Sequence, residues 1–193
     1  KTKKNRLQKL LSNMDTEYIL KNGEKVVIRP LEDTKEDTTA MLEFINSIRA
    51  EDAKLSNFGP PLTFEQESAW LRDIVDQSKD GKKLYYAAFD EKRAIAVIGI
   101  TKKGDRSMHV GVFGISIDKK YRGKGLGAYL MENILKESAR ALTITHVELV
   151  CFANNTPAYK LYKKMGFQEV GRIPEKILYR GDLIDEIIMI KRL

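Results

Sequence analysis

The sequence predicts an α+β domain built on one mixed sheet of about seven strands. Apolar residues alternate with period two in several short runs and recur with a 3.6-residue period in four longer ones. The resulting order, β-α-α-β-β-β-α-β-α-β-β, mixes strand hairpins with helical crossovers instead of repeating a βαβ unit. The 193 residues, 42% hydrophobic and 32% charged, suffice to bury one full core, and neither a low-complexity linker nor an internal repeat divides them.

Each element has a local cause. After the turn signal Asn22-Gly23, Val26 to Arg29 forms a strand that stops at Pro30. Segment 35–50 places Ala40, Met41, Phe44, Ile45 and Ile48 at helical spacing, and 51–62, with Gly59-Pro60-Pro61, is a loop. Thr63 and Gln66 make a capping box for a helix through Trp70, Leu71, Ile74 and Val75, ended by Asp80-Gly81. Leu84–Phe89 and Ala94–Ile100 flank the polar turn 90–93 as a hairpin. The run 108–117 contains Gly111 and Gly114, glycines that in a strand mark a bulge or a close backbone approach. A helix from Gly125 to about Arg140 precedes strand 147–152. Pro157 to Met165 is a helix with proline in its first turn and Gly166 at its end. Strands 167–173 and 184–190 close the chain around Arg180-Gly181-Asp182.

Composition removes several function classes. One cysteine, Cys151, excludes a disulfide framework or a multi-cysteine zinc site and fits a reducing, cytoplasmic setting. With only His109 and His146, a histidine metal centre is not expected, and no metal is assigned. No apolar run approaches the roughly 20 residues of a membrane span, and no signal-peptide pattern opens the sequence. The net charge of +7 favours acidic partners. Part of it is Lys1, Lys3, Lys4, Arg6 and Lys9 ahead of Leu7, Leu10 and Leu11, which reads as a basic amphipathic helix in an extension over 1–22, ahead of one domain over 23–193.

The most informative stretch runs from Ile115 to Ala128, where a strand enters a helix through a basic, glycine-rich loop. Gly123, Gly125 and Gly127 let the backbone approach a ligand, and the helix start offers unpaired amides, so the loop is a cradle for a pyrophosphate. Lys119, Lys120, Arg122 and Lys124 add attraction for an anion. The GK[ST] tail of an ATPase or GTPase loop is absent. Gly123-x-Gly125-x-x-Ala128 matches a dinucleotide fingerprint in letters, but Asp118 to Arg122 separate it from its strand and the preceding strands are hairpins.

The remaining pattern, Arg122-x-x-Gly125-x-Gly127, resembles the pyrophosphate loop of the GCN5-related N-acetyltransferase superfamily. A second stretch, Asn155-Thr-Pro-Ala158-Tyr-Lys-Leu161-Tyr162-Lys-Lys-Met-Gly166-Phe167, is similar to that family's Asn-x-x-Ala-x-x-Leu-Tyr-x-x-x-Gly-Phe signature. The closing Gly181-to-Met189 stretch resembles the phosphinothricin and ribosomal-protein branches. The resemblance implies the GNAT fold: helices on both faces of the sheet, a β-bulge, and a V-shaped splay between strands 108–117 and 147–152. It implies acetyl-CoA as cosubstrate, with the backbone of Ile115, Ser116 and Ile117 on the pantetheine arm. The pyrophosphate falls to Arg122, Gly123, Lys124, Gly125, Leu126, Gly127 and Ala128.

The same resemblance assigns Tyr162 as general acid beside the coenzyme sulfur, with Tyr159 in reserve, and Asn155 to the pantetheine or a relay water. The family's glutamate position is Val150 here, which leaves Glu148, two residues back on the same strand face, as a base acting through water, and His109 as an alternative. Cys151 reads as a buried strand residue, so transfer is expected to be direct, in a ternary complex. Acceptor choice is assigned to 51–62 and 173–184. The expected partner is a primary amine, on a small molecule, a protein amino terminus or a lysine; a homodimer is an allowed assembly, and neither membrane nor nucleic acid is expected. A non-catalytic acyl-CoA sensor and a basic nucleic-acid-binding module are the competing readings.

Overall fold

A computed structural model describes residues 16–54 and 59–193. Eight strands form one sheet: β1 (Thr16–Ile19), β2 (Lys25–Pro30), β3 (Lys83–Asp90), β4 (Arg93–Lys102), β5 (Val110–Ile117), β6 (His146–Phe152), β7 (Gln168–Tyr179) and β8 (Asp182–Arg192). Their order is β1-β2-β3-β4-β5-β6-β8-β7, antiparallel throughout except for the parallel β5/β6 pair. The helices described are α1 (Lys35–Ala50), α2 (Phe64–Lys79), α3 (Leu126–Ala141) and α4 (Thr156–Lys164). Among the described residues, no helix is long and apolar enough to cross a membrane.

The sheet has one strand more than expected. Residues 16–19, assigned by sequence to the extension, pair with β2 from Thr16↔Ile28 to Ile19↔Lys25, so the domain begins before residue 23. The rest of the expected basic helix, 1–15, lies outside the described residues. The last hairpin also differs. β7 and β8 run toward each other until only Arg180 and Gly181 remain between them, both at positive φ (54° and 88°), the signature of the turn whose twist matches paired strands. Most of the connection expected over 173–184 is therefore strand, with Pro174 in an irregularity between Ile173 and Ile177 on the edge strand.

Helices cover both faces. Met41, Phe44 and Ile48 of α1 and Leu71 of α2 pack on Ala87, Phe89 and Ala94; on the other face Leu126, Leu130, Met131 and Ile134 of α3 pack on Tyr86, Ile98, Ile100 and Val147. The capping box expected at Thr63 and Gln66 forms, and Thr34 caps α1 by accepting from the Asp37 amide. Arg29 grips Asp37 with two hydrogen bonds, 2.8 and 2.5 Å, which ties β2 to the start of α1.

The expected β-bulge does not appear as a register shift in β5. Its pairing with β4 runs without a break from Gly111↔Lys102 to Ile117↔Ala96. Gly111 serves close packing, since a Cβ there would lie 2.5 Å from Ile100 Cγ2 and 2.7 Å from Ile144 Cδ1. The irregularity falls on the other side of β5, which pairs with β6 only through Val110↔His146, Gly111↔Val147 and Val112↔Glu148.

Candidate active site

Beyond Val112 the two strands splay, so the β5 edge from Phe113 to Ile117 and the β6 edge from Leu149 to Phe152 face each other across a gap. In a continuous sheet these edges would pair; here their backbone groups are available to an extended ligand. The gap opens into a cleft of about 1220 Å³, lined by Ile115, Ser116 and Ile117 on one wall and Val150, Cys151 and Phe152 on the other.

The loop after β5 closes one end. Asp118, buried at its base, accepts from the Lys120 amide at 2.8 Å and pairs with Arg93, while Tyr121 donates its hydroxyl proton to Asp90. Burial and the Asp90 bond push the Tyr121 phenol up to about 12. The Lys21 amide donates to the Lys124 carbonyl at 3.2 Å, and the Tyr18 ring stacks on Tyr129 at 4.0 Å, so β1 braces this loop. Gly125 sits at the α3 N-cap with φ 91° and ψ −16°, a left-handed conformation that glycine adopts without strain. Consequently the first amides of α3 point outward with no capping side chain.

The structure brings Ile115, Ser116, Ile117, Arg122, Gly123, Gly125, Gly127, Ala128, Asn155 and Tyr162 to this one cleft. Lys124 is turned away to Glu24 at 2.8 Å, and the Leu126 side chain is wholly buried in the core. Arg122 donates from Nε to the Ile117 carbonyl at 2.8 Å and pairs with Glu51, so it links the loop to the β5 edge and to the end of α1. Asn155 occupies the N-cap of α4 without a capping side-chain bond, which leaves its amide free for the cleft. Tyr162 is buried against Phe113 and Phe167, each ring about 6 Å away (6.1 Å), and burial raises its phenol well above the ordinary range.

The candidate bases lie elsewhere. Glu148 sits where β5 and β6 are still paired, forms an ion pair with Lys103, and does not line the cleft; the splay begins just after its partner Val112. Exposed His109 stacks edge-on with His146 at 5.8 Å, also outside the cleft. Tyr159 donates to Glu169 at 2.9 Å.

The two segments assigned to acceptor choice touch. Tyr179 donates to the Asp52 carbonyl at 3.0 Å, Arg180 Nε to the Asp52 carboxylate at 2.7 Å, and Lys54 to the Asn154 carbonyl at 2.7 Å. Together they strap the end of α1 over the cleft. On the α1/α2 face the sequence reading missed Glu67, Arg49, Trp70 and Tyr85, all of which line it. Glu67 is only 3% exposed, and burial, partly offset by Arg49, raises its carboxyl to about 7. One signal was present: Glu67 precedes Leu71 by four residues and Ile74 by seven, and so lies on the apolar stripe of α2.

A splayed parallel pair, an amide cradle at a helix start and a wall of aromatic residues form one continuous site. A family model described as the acetyltransferase (GNAT) family matches residues 47–167, a range that holds all of these features. The chain belongs to this family. Among GNAT relatives, the L-amino acid N-acetyltransferase AaaT of Escherichia coli (strain K12) is 33% identical over 84 residues, which cover 44% of this chain and 52% of that protein. The match thus spans about half the length of that relative. A GNAT-family acetyltransferase from Streptococcus pneumoniae shares the fold with TM-score 0.77 at 24% identity, covering 87% of this chain and 99% of that one. The yncA structure from Salmonella typhimurium, solved with its cofactor acetyl-CoA, does so with TM-score 0.74 at 17% identity, covering 87% and 94%.

Proposed function

We propose that this chain transfers the acetyl group of acetyl-CoA directly to a primary amine of a small molecule or a protein. The observation that carries the reading is the meeting, in one cleft, of the unpaired β5 edge, the outward amides of residues 125–128 and the Tyr162 side chain. Backbone groups of Ile115, Ser116 and Ile117 hold the amide-bearing pantetheine arm as a neighbouring strand would, and the α3 start with Arg122 takes the pyrophosphate. An amide of β5 stabilises the oxyanion that forms at the thioester carbonyl. Asn155, uncapped, orients the arm or a relay water.

Tyr162 keeps its proton throughout the neutral range and gives it to the leaving thiolate. Tyr162→Phe is expected to lower kcat by about 100-fold with little change in KM for acetyl-CoA, measured by thiol release. An unaltered kcat would reduce Tyr162 to packing against Phe113 and Phe167.

Direct transfer also makes a prediction at Cys151, whose thiol is pushed up to about 11, first by burial and next by Glu169. So little thiolate is present near pH 7 that an acetyl-cysteine intermediate is disfavoured. Cys151→Ala is expected to retain most activity in the same assay, whereas complete loss in a folded variant would mean transfer through the sulfur.

A further inference from the structure

The cleft holds two unmet polar demands of opposite sign on its α1/α2 face. The Glu67 carboxyl is buried and, among the described residues, has neither a hydrogen bond nor an ion pair; its charged neighbour on α1, Arg49, acts on it only through space. Arg49 donates from Nη1 to the Pro60 carbonyl at 2.5 Å, but its buried Nε has no acceptor. From β3, Tyr85 faces the same space with its hydroxyl 3.2 Å from Thr101 Oγ1 and its ring edge-on to Trp70. Met41, Ile45 and Val97 complete apolar walls. A buried carboxylate and a buried donor, each without a partner, are costly, and such groups concentrate where a ligand completes them.

We infer that Glu67 and Arg49 form the acceptor subsite: Glu67 receives the ammonium of an α-amino carbonyl compound with an apolar side chain, and Arg49 receives the neighbouring carbonyl or carboxylate oxygen. This rests on the acetyl-transfer reading above. A polyamine would need several free carboxylates, yet the other acidic residues lining the cleft, Glu51 and Asp52, are paired with Arg122 and Arg180. A lysine side chain would leave the Arg49 Nε without an acceptor.

In the reaction, one proton of the bound ammonium passes to the Glu67 carboxylate and frees the nitrogen lone pair, which forms the new bond to the thioester carbonyl carbon. The C–S bond then breaks, its electron pair leaves with sulfur, sulfur takes a proton from Tyr162, and a second nitrogen proton returns to the phenolate. A carboxyl near 7 matches an α-ammonium, whose pKa is about 8, far better than a lysine ammonium at about 10.

The test measures thiol release from acetyl-CoA with L-leucine, L-leucyl-glycine, spermidine and Nα-acetyl-lysine, alongside calorimetric binding of acetyl-CoA. Leucine or leucyl-glycine is expected as substrate, the better of them showing whether the source is a free amino acid or a peptide terminus; the other two should be about 100-fold poorer or worse. E67Q should lower kcat/KM for the acceptor by about 100-fold or more and flatten its rise around pH 7, with E67D restoring part and acetyl-CoA affinity unchanged. Arg49→Lys should raise KM for the acceptor more than it lowers kcat. Preference for spermidine or acetyl-lysine, no turnover of any of these amines by a protein that binds acetyl-CoA, or an E67Q effect within about threefold overturns the subsite. Absence of acetyl-CoA binding in the unaltered protein instead overturns the acetyl-transfer reading, and the subsite with it.

Discussion

Gly125→Val is expected to weaken acetyl-CoA binding by about 100-fold or more, roughly 3 kcal/mol. Valine cannot hold φ 91° without strain of about 1–2 kcal/mol, and β-branching narrows its choices further. Its Cβ would also stand 3.3 Å from Tyr18 Oη and 3.4 Å from Lys21 Cε, on the side where the Lys21 amide holds the Lys124 carbonyl. The Tyr18 and Lys21 side chains can give the few tenths of an ångström that the Cβ needs, but the φ strain is relieved only by rotating the loop, which turns the first amides of α3 away from one common point. Calorimetry gives the affinity and a thermal melt shows whether the variant is folded. Wild-type affinity in a folded variant would mean that the α3 amides do not hold the donor.

Glu67→Gln is expected to stabilise the protein at alkaline pH while disabling it. Burial raises the carboxyl from 4.5 to about 7, so the folded chain binds this proton more tightly than the unfolded chain does. Unfolding between these values releases a proton. The contribution of Glu67 is therefore fully favourable below about 4.5 and is lost as pH rises through about 7, by roughly 3 kcal/mol in all. Glutamine carries no such proton, so the variant should gain about 2–3 kcal/mol over the unaltered protein at pH 8 and almost nothing at pH 4.5, read from urea unfolding. Equal stability at both pH values would mean that water reaches the carboxyl. A substitution that raises stability and lowers turnover marks a group retained for its chemistry.

What could be read from the sequence was what is local along the chain. Helix limits followed from Thr63 with Gln66 and from Gly166, and the strand-loop-helix passage around Gly125 was visible as spacing. What remained hidden depended on partners distant in sequence. Thr16 to Ile19 become a strand only because β2 offers an edge, and Ile177 to Tyr179 extend β7 because Ile184 to Asp182 lie opposite. Glu148 shares a strand face with Val150, yet how far the β5/β6 ladder persists decides whether it meets the cleft, and no local pattern encodes that length. Glu67 interrupts the apolar stripe of α2, and only the packing of that helix against the sheet buries its carboxyl, which the helical spacing alone does not encode.

An unpaired strand edge on the outside of a protein is a template for another chain, and proteins blunt such edges with charge, bulges or covering elements. This molecule places two of them inside, between β5 and β6, with α3 and α4 on one face and the strapped end of α1 near the other. Here the backbone groups that would recruit a neighbouring chain on an outer rim face a cleft enclosed by the protein's own layers. The fold thereby keeps unpaired strand hydrogen-bonding groups in reserve at a position where a second copy of the sheet cannot dock edge to edge.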